Sequence, residues 1–261
     1  MNLPGSPTLT IQQLIPRVQA ALQNRTDVTE SQANPEMRPS AWIRDALREI
    51  TANLPFEELR QANPPQVTIG PGLGQGTIGG QANYQYPVSS FLNGGDDVTL
   101  MEDPVIFLNS SMSGPATPTS TIPYPMDYLT PKAIVPLLGI PGGIPYYYTR
   151  FGPFFWFGTQ PGQNYTVYLP YQIRHPFNDD SLLQSAVCVP PDWFDVIGYA
   201  AAERGAIALR WNEQSDYLHG KLYGDPSAKV PLPGLIEERV MQQNRDRRLS
   251  PVQITCQVAR Y

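Results

Sequence analysis

The chain has 261 residues, and its 18 Lys and Arg against 23 Asp and Glu give a formal charge of −5, which excludes a strongly basic nucleic-acid binder. Its 29 prolines are about twice the usual share of roughly 5%, which disfavours a mostly helical chain and favours extended segments joined by turns. With 16% charged residues and 14 tyrosines, the surface is expected to be short of solvated charge and rich in half-buried aromatic side chains, as interfaces are.

Met1 to Pro7 has neither a basic start nor an apolar core, so no secretory signal is expected. Residues 8–23 read as a helix, because Leu9, Ile11, Leu14, Ile15, Val18, Ala21 and Leu22 recur at three- and four-residue steps. Thr8 or Thr10 can cap it, and Pro16 should kink it or move its start later. After a polar loop, Pro39 opens a second helix over 39–53, with Trp42, Ile43, Ala46, Leu47 and Ile50 as its stripe and Pro55 as its stop.

From residue 56 to about 185 the texture changes to short extended runs (66–69, 83–88, 97–100, 105–108 and 164–174) between clusters of Gly, Pro, Asn and Asp. The run 164–174 reads as one strand with Val167, Leu169, Tyr171 and Ile173 on one face. The stretch 109–163 predicts no regular element. The most apolar window, 134–157, is interrupted by Pro136, Pro141, Pro145 and Pro153, so it cannot form the ~20-residue helix that spans a membrane, and a soluble protein is expected.

Helical signals return at Pro190-Pro191-Asp192-Trp193, where proline and an acid suit a first turn. Ile197, Ala200, Ala201 and Ala208 carry a helix towards Trp211, and a second follows over 213–223. Residues 226–233 read as a linker and 235–249 as a short amphipathic helix. Beyond it Val252, Ile254, Cys256 and Val258 alternate with Gln253, Thr255 and Gln257, a strand pattern. Such an arm either pairs within its own subunit or is disordered in the free chain and orders by adding to another chain.

The expected organisation is therefore α+β. Helices at 1–55 and 186–233 form one bundle from both chain ends, a β-rich domain is inserted at 56–185, and a short helix with an extended arm occupies 234–261. Trp42, Ile43, Leu47, Trp193, Ile197, Ala200 and Ala201 are the expected bundle core.

Catalytic patterns are not apparent. Gly74-Gln-Gly-Thr-Ile-Gly79 matches G-x-G-x-x-G, but Gly80-Gln-Ala-Asn-Tyr-Gln-Tyr-Pro follows where a helix would have to start. His175 and His219 are the two histidines, and neither has a metal-ligand spacing. His175 near Asp179 and Asp180 offers an acid–base pair or simply a loop after a strand. Cys188 and Cys256 read as reduced thiols of an intracellular protein. Tyr146, Tyr147 and Tyr148 with Phe154, Phe155, Trp156 and Phe157 read as a stacking platform for a sugar or base, or, as the preferred reading, as core and subunit-interface filler. No catalytic, cofactor or metal site is expected, and the chain is not expected to be an enzyme. Arg245-Asp-Arg-Arg248 reads as a solvated or protein-paired basic cluster.

Tyr171-Gln-Ile-Arg-His-Pro176, Asp179-Asp180, Val189-Pro-Pro-Asp-Trp193 and Ala200-Ala-Ala202, together with the Trp42–Ile50 helix, resemble the head-to-tail adaptor proteins of short-tailed bacteriophages, the tail tubular protein A or gatekeeper-like kind. The likeness covers residues 8–54 and 165–223, and it rests on the order of the motifs. It implies a ring, usually dodecameric, in the virion neck between the portal and the tail. Such a protein is made in the host bacterial cytoplasm. Its implied partners are other copies of itself, the portal, the tail nozzle or another tail protein, and passing double-stranded DNA held without sequence-specific contacts; no membrane is involved. The resemblance also implies that Val252, Ile254, Cys256 and Val258 dock on the portal; Tyr146, Tyr147, Tyr148, Phe154, Phe155 and Trp156 are, by their composition, the candidates for contact with neighbouring subunits. The competing reading is a tail or baseplate module whose aromatic loops bind carbohydrate.

Overall fold

The computed structural model describes residues 9–25, 27–78, 81–107, 123–138, 140, 142–177, 179–225 and 232–249. In chain order, α1 (Ile11–Ala21) and α2 (Pro39–Asn53) precede β1 (Gln66–Ile69), β2 (Gln75–Ile78), β3 (Gln81–Pro87), β4 (Val98–Met101), β5 (Val105–Phe107), β6 (Pro123–Pro125) and β7 (Asp127–Tyr128). The short α3 (Pro131–Ile134) leads to β8 (Tyr147–Phe151), β9 (Phe154–Gly158), β10 (Tyr165–Tyr168) and β11 (Tyr171–Ile173). Then come α4 (Phe194–Ala208), α5 (Asn212–Tyr223) and α6 (Leu235–Leu249). The protein is mixed α and β, and the chain divides into two units: residues 59–174, and residues 2–58 with 175–261. Among the described residues no helix is long and apolar enough to cross a membrane.

In the helical unit, α4 packs against α1, α2 and α5. It is buried almost all round, because Val196, Ile197, Ala200, Ala201, Ala202 and Ala206 are all inside, as a helix enclosed on several sides requires. Small side chains make the close approach possible. A methyl group on Gly205 would lie 2.5 Å from the Trp42 ring, and that indole is itself pinned by its N–H donating to the Glu36 carbonyl at 2.8 Å. Alanine is the better helix former by about 1 kcal/mol, yet the ring has little room to yield. Gly205→Ala is therefore expected to destabilise by about 1–3 kcal/mol, read as a lowered urea midpoint; a rise in stability would mean that the Trp42 contact is loose.

Two sequence expectations for these helices meet their physical reasons here. α1 begins at Ile11 and runs through Pro16, so the proline does not displace the start beyond itself. Thr10 is the N-cap, with its N–H donating to Gln13 Oε1 at 3.0 Å. α2 opens with Pro39 in its first turn, where the missing N–H costs nothing. The Glu30 carboxylate accepts from both the Ser40 N–H and hydroxyl at 2.7 Å, placing a negative charge at the positive end of the helix.

The β unit holds a four-stranded sheet, β1-β10-β5-β6, and a five-stranded sheet, β2-β3-β9-β8-β7, with β11 and β4 paired apart. Among the described residues its ladders are antiparallel except β7 with β8. Both sheets feed one core, Ile69, Ile106 and Val167 from the first meeting Tyr86, Phe155 and Phe157 from the second. Edge-to-face aromatic contacts fix that core, as between Phe91 and Phe155 at 5.4 Å and Tyr86 and Phe157 at 5.5 Å. The two ends of the unit lie side by side, since Arg60 bridges Gln172 and the Gln61 N–H donates to the Tyr171 carbonyl at 2.9 Å.

Two expectations are corrected. The run 164–174 is two strands, β10 and β11, in different sheets. The break falls at Leu169-Pro170, where proline has no N–H to continue the ladder and its carbonyl instead accepts from the Glu102 N–H at 2.9 Å. The stretch 109–163 does hold regular structure: the β8–β9 hairpin turns at Gly152, whose φ of +60° suits glycine.

Candidate functional surface

The β8–β9 hairpin sorts its aromatic residues by the alternation of a strand. Tyr148, Phe155 and Phe157 point into the shared core. Trp156 points the other way and is covered by Ile134 and Leu138 of the α3 segment. The strand thus has no solvent face along its middle. Gly158 allows this cover, for a methyl there would meet Ile134 Cγ1 at 3.2 Å and Tyr147 Cβ at 3.3 Å.

This burial divides the expected interface residues. Tyr148, Phe155 and Trp156 are buried inside their own unit. Tyr146 and Tyr147 are exposed and Phe154 is half-buried. Phe151, not singled out by the sequence reading, is 54% exposed and packs on Trp156 with ring centroids 4.7 Å apart. Of the expected bundle core, Trp42, Ile43, Leu47, Trp193, Ile197, Ala200 and Ala201 are all buried. Val252, Ile254, Cys256 and Val258 lie outside the described residues.

On the core-facing side of the hairpin, at its tip, a cavity of about 500 Å³ opens to solvent. Phe155 and Tyr148 lie at its buried side, Tyr128 and Met101 wall it, and Glu102, Arg150 and the Gly152 turn rim it. Tyr128 is 53% exposed and meets Tyr148 edge to face at 5.6 Å. The Tyr148 hydroxyl donates to the Asp103 carboxylate at 2.5 Å, and burial together with that carboxylate pushes its pKa well above the usual tyrosine range. The tyrosine is therefore a fixed, neutral donor. Glu102 pairs with Arg60. Among the described residues Arg150 pairs with no carboxylate, and its hydrogen bond is to the Met101 thioether at 3.5 Å, a weak acceptor. Sequence reasoning missed this group because three separate segments assemble it. The one local signal was Arg150, the sole charge in the aromatic run 146–157.

The other candidates resolve differently. His175 is buried, stacks on Phe177 at 4.5 Å and accepts through Nε2 from the Cys188 N–H at 2.9 Å. That bond anchors the segment at Cys188 and leaves Nε2 engaged. Burial lowers the His175 pKa to about 4. The side chains of Asp179 and Asp180 lie outside the described ones. Cys188 is a half-buried free thiol, and burial with the nearby Glu58 carboxylate pushes its pKa up, away from a reactive thiolate. Gln75–Ile78, inside the G-x-G-x-x-G match, is a strand paired with β3, so no helix start is present there to hold a phosphate. No family model matches the chain, and no curated protein matches it.

Proposed function

We propose that the chain is a structural head-to-tail adaptor of a tailed phage, forming a ring, dodecameric in the family it resembles, between portal and tail. What carries this reading is the packing of α1 and α2, from the start of the chain, on α4, from beyond the β unit. That connectivity, with the β-rich segment inserted, is the one the resemblance implies. In this reading the helical unit is a bundle built by both chain ends, the exposed Tyr146 and Tyr147 meet neighbouring copies, and residues 252–258 grip the portal. The task is geometric: it seals a joint, extends the DNA channel and offers a docking surface to the next tail protein. No reaction is required. A net charge of −5 per copy suits a wall along which DNA slides, since a dense basic lining would hold phosphates.

The test is a density map of the virion neck together with a deletion of residues 250–261. A ring of this chain between portal and tail is expected, and the truncated chain should fold normally yet fail to join DNA-filled heads. One or two copies per particle would overturn the reading. So would unchanged attachment of the truncated chain, as far as the arm is concerned. The second reading, a tail or baseplate module that holds carbohydrate, is favoured by the exposed Tyr128 beside a charged rim.

A further inference from the structure

We propose that the cavity walled by Tyr128 and Tyr148 and rimmed by Arg150 and Glu102 binds a sugar ring that carries a carboxylate, a uronic-acid type of residue. The inference concerns the isolated β unit and stands whether or not the chain forms a neck ring.

Three features choose the ligand class. The first is the wall. Tyr128 leaves about half of its surface open beside a cavity of about 500 Å³, within the range of small-molecule sites. An open phenol ring offers the C–H face of a sugar an apolar surface, and the edge-to-face contact with Tyr148 holds the ring in place. The second is Arg150. Its guanidinium presents five donors in a fixed fork matched to a carboxylate, and the Met101 sulfur is a poor substitute for one. The other arginines of this unit, Arg60 and Arg174, have their carboxylates in Glu102 and Asp97, so Arg150 stands apart. The third is Glu102. Arg60 engages one of its oxygens, and a carboxylate has acceptor capacity for several donors, here the hydroxyl groups of a sugar.

These features also select against other ligands. A simple carboxylate would gain from Arg150 but would bring no hydroxyl donor to Glu102 and no ring face to Tyr128. A neutral sugar would use Tyr128 and Glu102 but leave Arg150 unanswered. A ring with both hydroxyls and a carboxylate answers all three. Gly152 keeps the approach open, since nothing lies within 4 Å of where its side chain would be.

The experiment is a saturation-transfer and chemical-shift titration of the full chain with methyl β-D-glucuronide, methyl β-D-glucoside and acetate. The glucuronide should bind saturably, and the glucoside and acetate should each bind at least about tenfold more weakly, as expected for loss of one charge-assisted hydrogen-bonded group or of the ring contact. Arg150→Gln should reduce glucuronide binding to the glucoside level, and Tyr128→Ala should weaken both sugars. Both side chains are exposed, so thermal midpoints near that of the wild type should accompany these losses. No saturable binding of the glucuronide overturns the proposal. Equal binding of glucuronide and glucoside, or Arg150→Gln without effect, overturns the role of Arg150. Acetate competing as strongly as the glucuronide overturns recognition of the ring. Failure of this test would leave the neck copy number untouched, so the two readings fall separately.

Discussion

Replacing Trp193 with Ala is expected to destabilise the helical unit by about 3–5 kcal/mol, the cost of emptying a large, filled site. Trp193 is 2% exposed and lies at the end of the short Pro191–Trp193 turn that leads into α4. Its indole meets Phe56 edge to face, with centroids 5.1 Å apart and planes at 80°. One side chain thus joins the segment after α2 to the start of α4, and its loss removes dispersion contacts that water cannot replace. Urea unfolding followed by the helical circular dichroism signal should show a large drop in midpoint. Trp193→Phe should recover much of it, because an aromatic edge still reaches Phe56. A loss below about 1 kcal/mol for the alanine variant would mean the site collapses around the hole.

The second large effect is a dependence on acid. His175 is neutral in the folded chain down to about pH 4, because burial disfavours its charged form. The Pro176 backbone beside it favours the charged form only in part, and Nδ1 makes no hydrogen bond of normal geometry to a described residue. In the unfolded chain the same ring takes up a proton near pH 6.5. Unfolding therefore binds a proton between those values. Stability is complete above about pH 6.5, falls as the pH drops towards 4, and loses no more from this group below that. The total is on the order of 3 kcal/mol, from about 2.5 units at 1.36 kcal/mol each. Protonation also removes the acceptor that holds the Cys188 N–H. Denaturant midpoints measured at pH 7, 5.5 and 4 should fall in that order, and His175→Gln should flatten this part of the profile. A wild-type midpoint that stays level from pH 7 to 4 would show that the imidazole is charged inside the fold.

Much of the helical part was legible in the sequence. Proline fixed the start of α2 and the stripe Trp42, Ile43, Ala46, Leu47 and Ile50 fixed its buried face, and the structure places that helix at Pro39–Asn53. The run 66–69 is β1. These are segments with one wet and one dry face, and periodicity reports such segments well. The β8–β9 hairpin has two dry faces. From Tyr146 to Phe157 every residue is aromatic, Gly or Pro apart from Thr149 and Arg150, so no alternation marks the strands. The split at Pro170 was hidden for the opposite reason: Val167, Leu169, Tyr171 and Ile173 alternate well, and only the missing N–H tells that the ladder ends. The cavity at the hairpin tip was invisible because Met101, Glu102, Tyr128 and Arg150 become neighbours only when β4, β7 and β8 come together.

The pairing of Arg60 with Gln172 bears on how the chain reaches this state. Arg17 of α1 and Asp195 of α4 form an ion pair across 178 positions of sequence, and at roughly 5–20 residues per second the ribosome needs on the order of ten to forty seconds to supply the second after the first. During that interval α1 and α2 have each other but lack α4, on which both pack. Closing so long a loop in one step is slow, since its entropy must be spent before the contacts form. A β unit that folds as soon as it emerges changes the problem, because an isolated antiparallel bridge holds positions 60 and 172 together. The inserted segment then acts as a clasp: the late helices are delivered on a short tether, and the search that completes the helical unit becomes local.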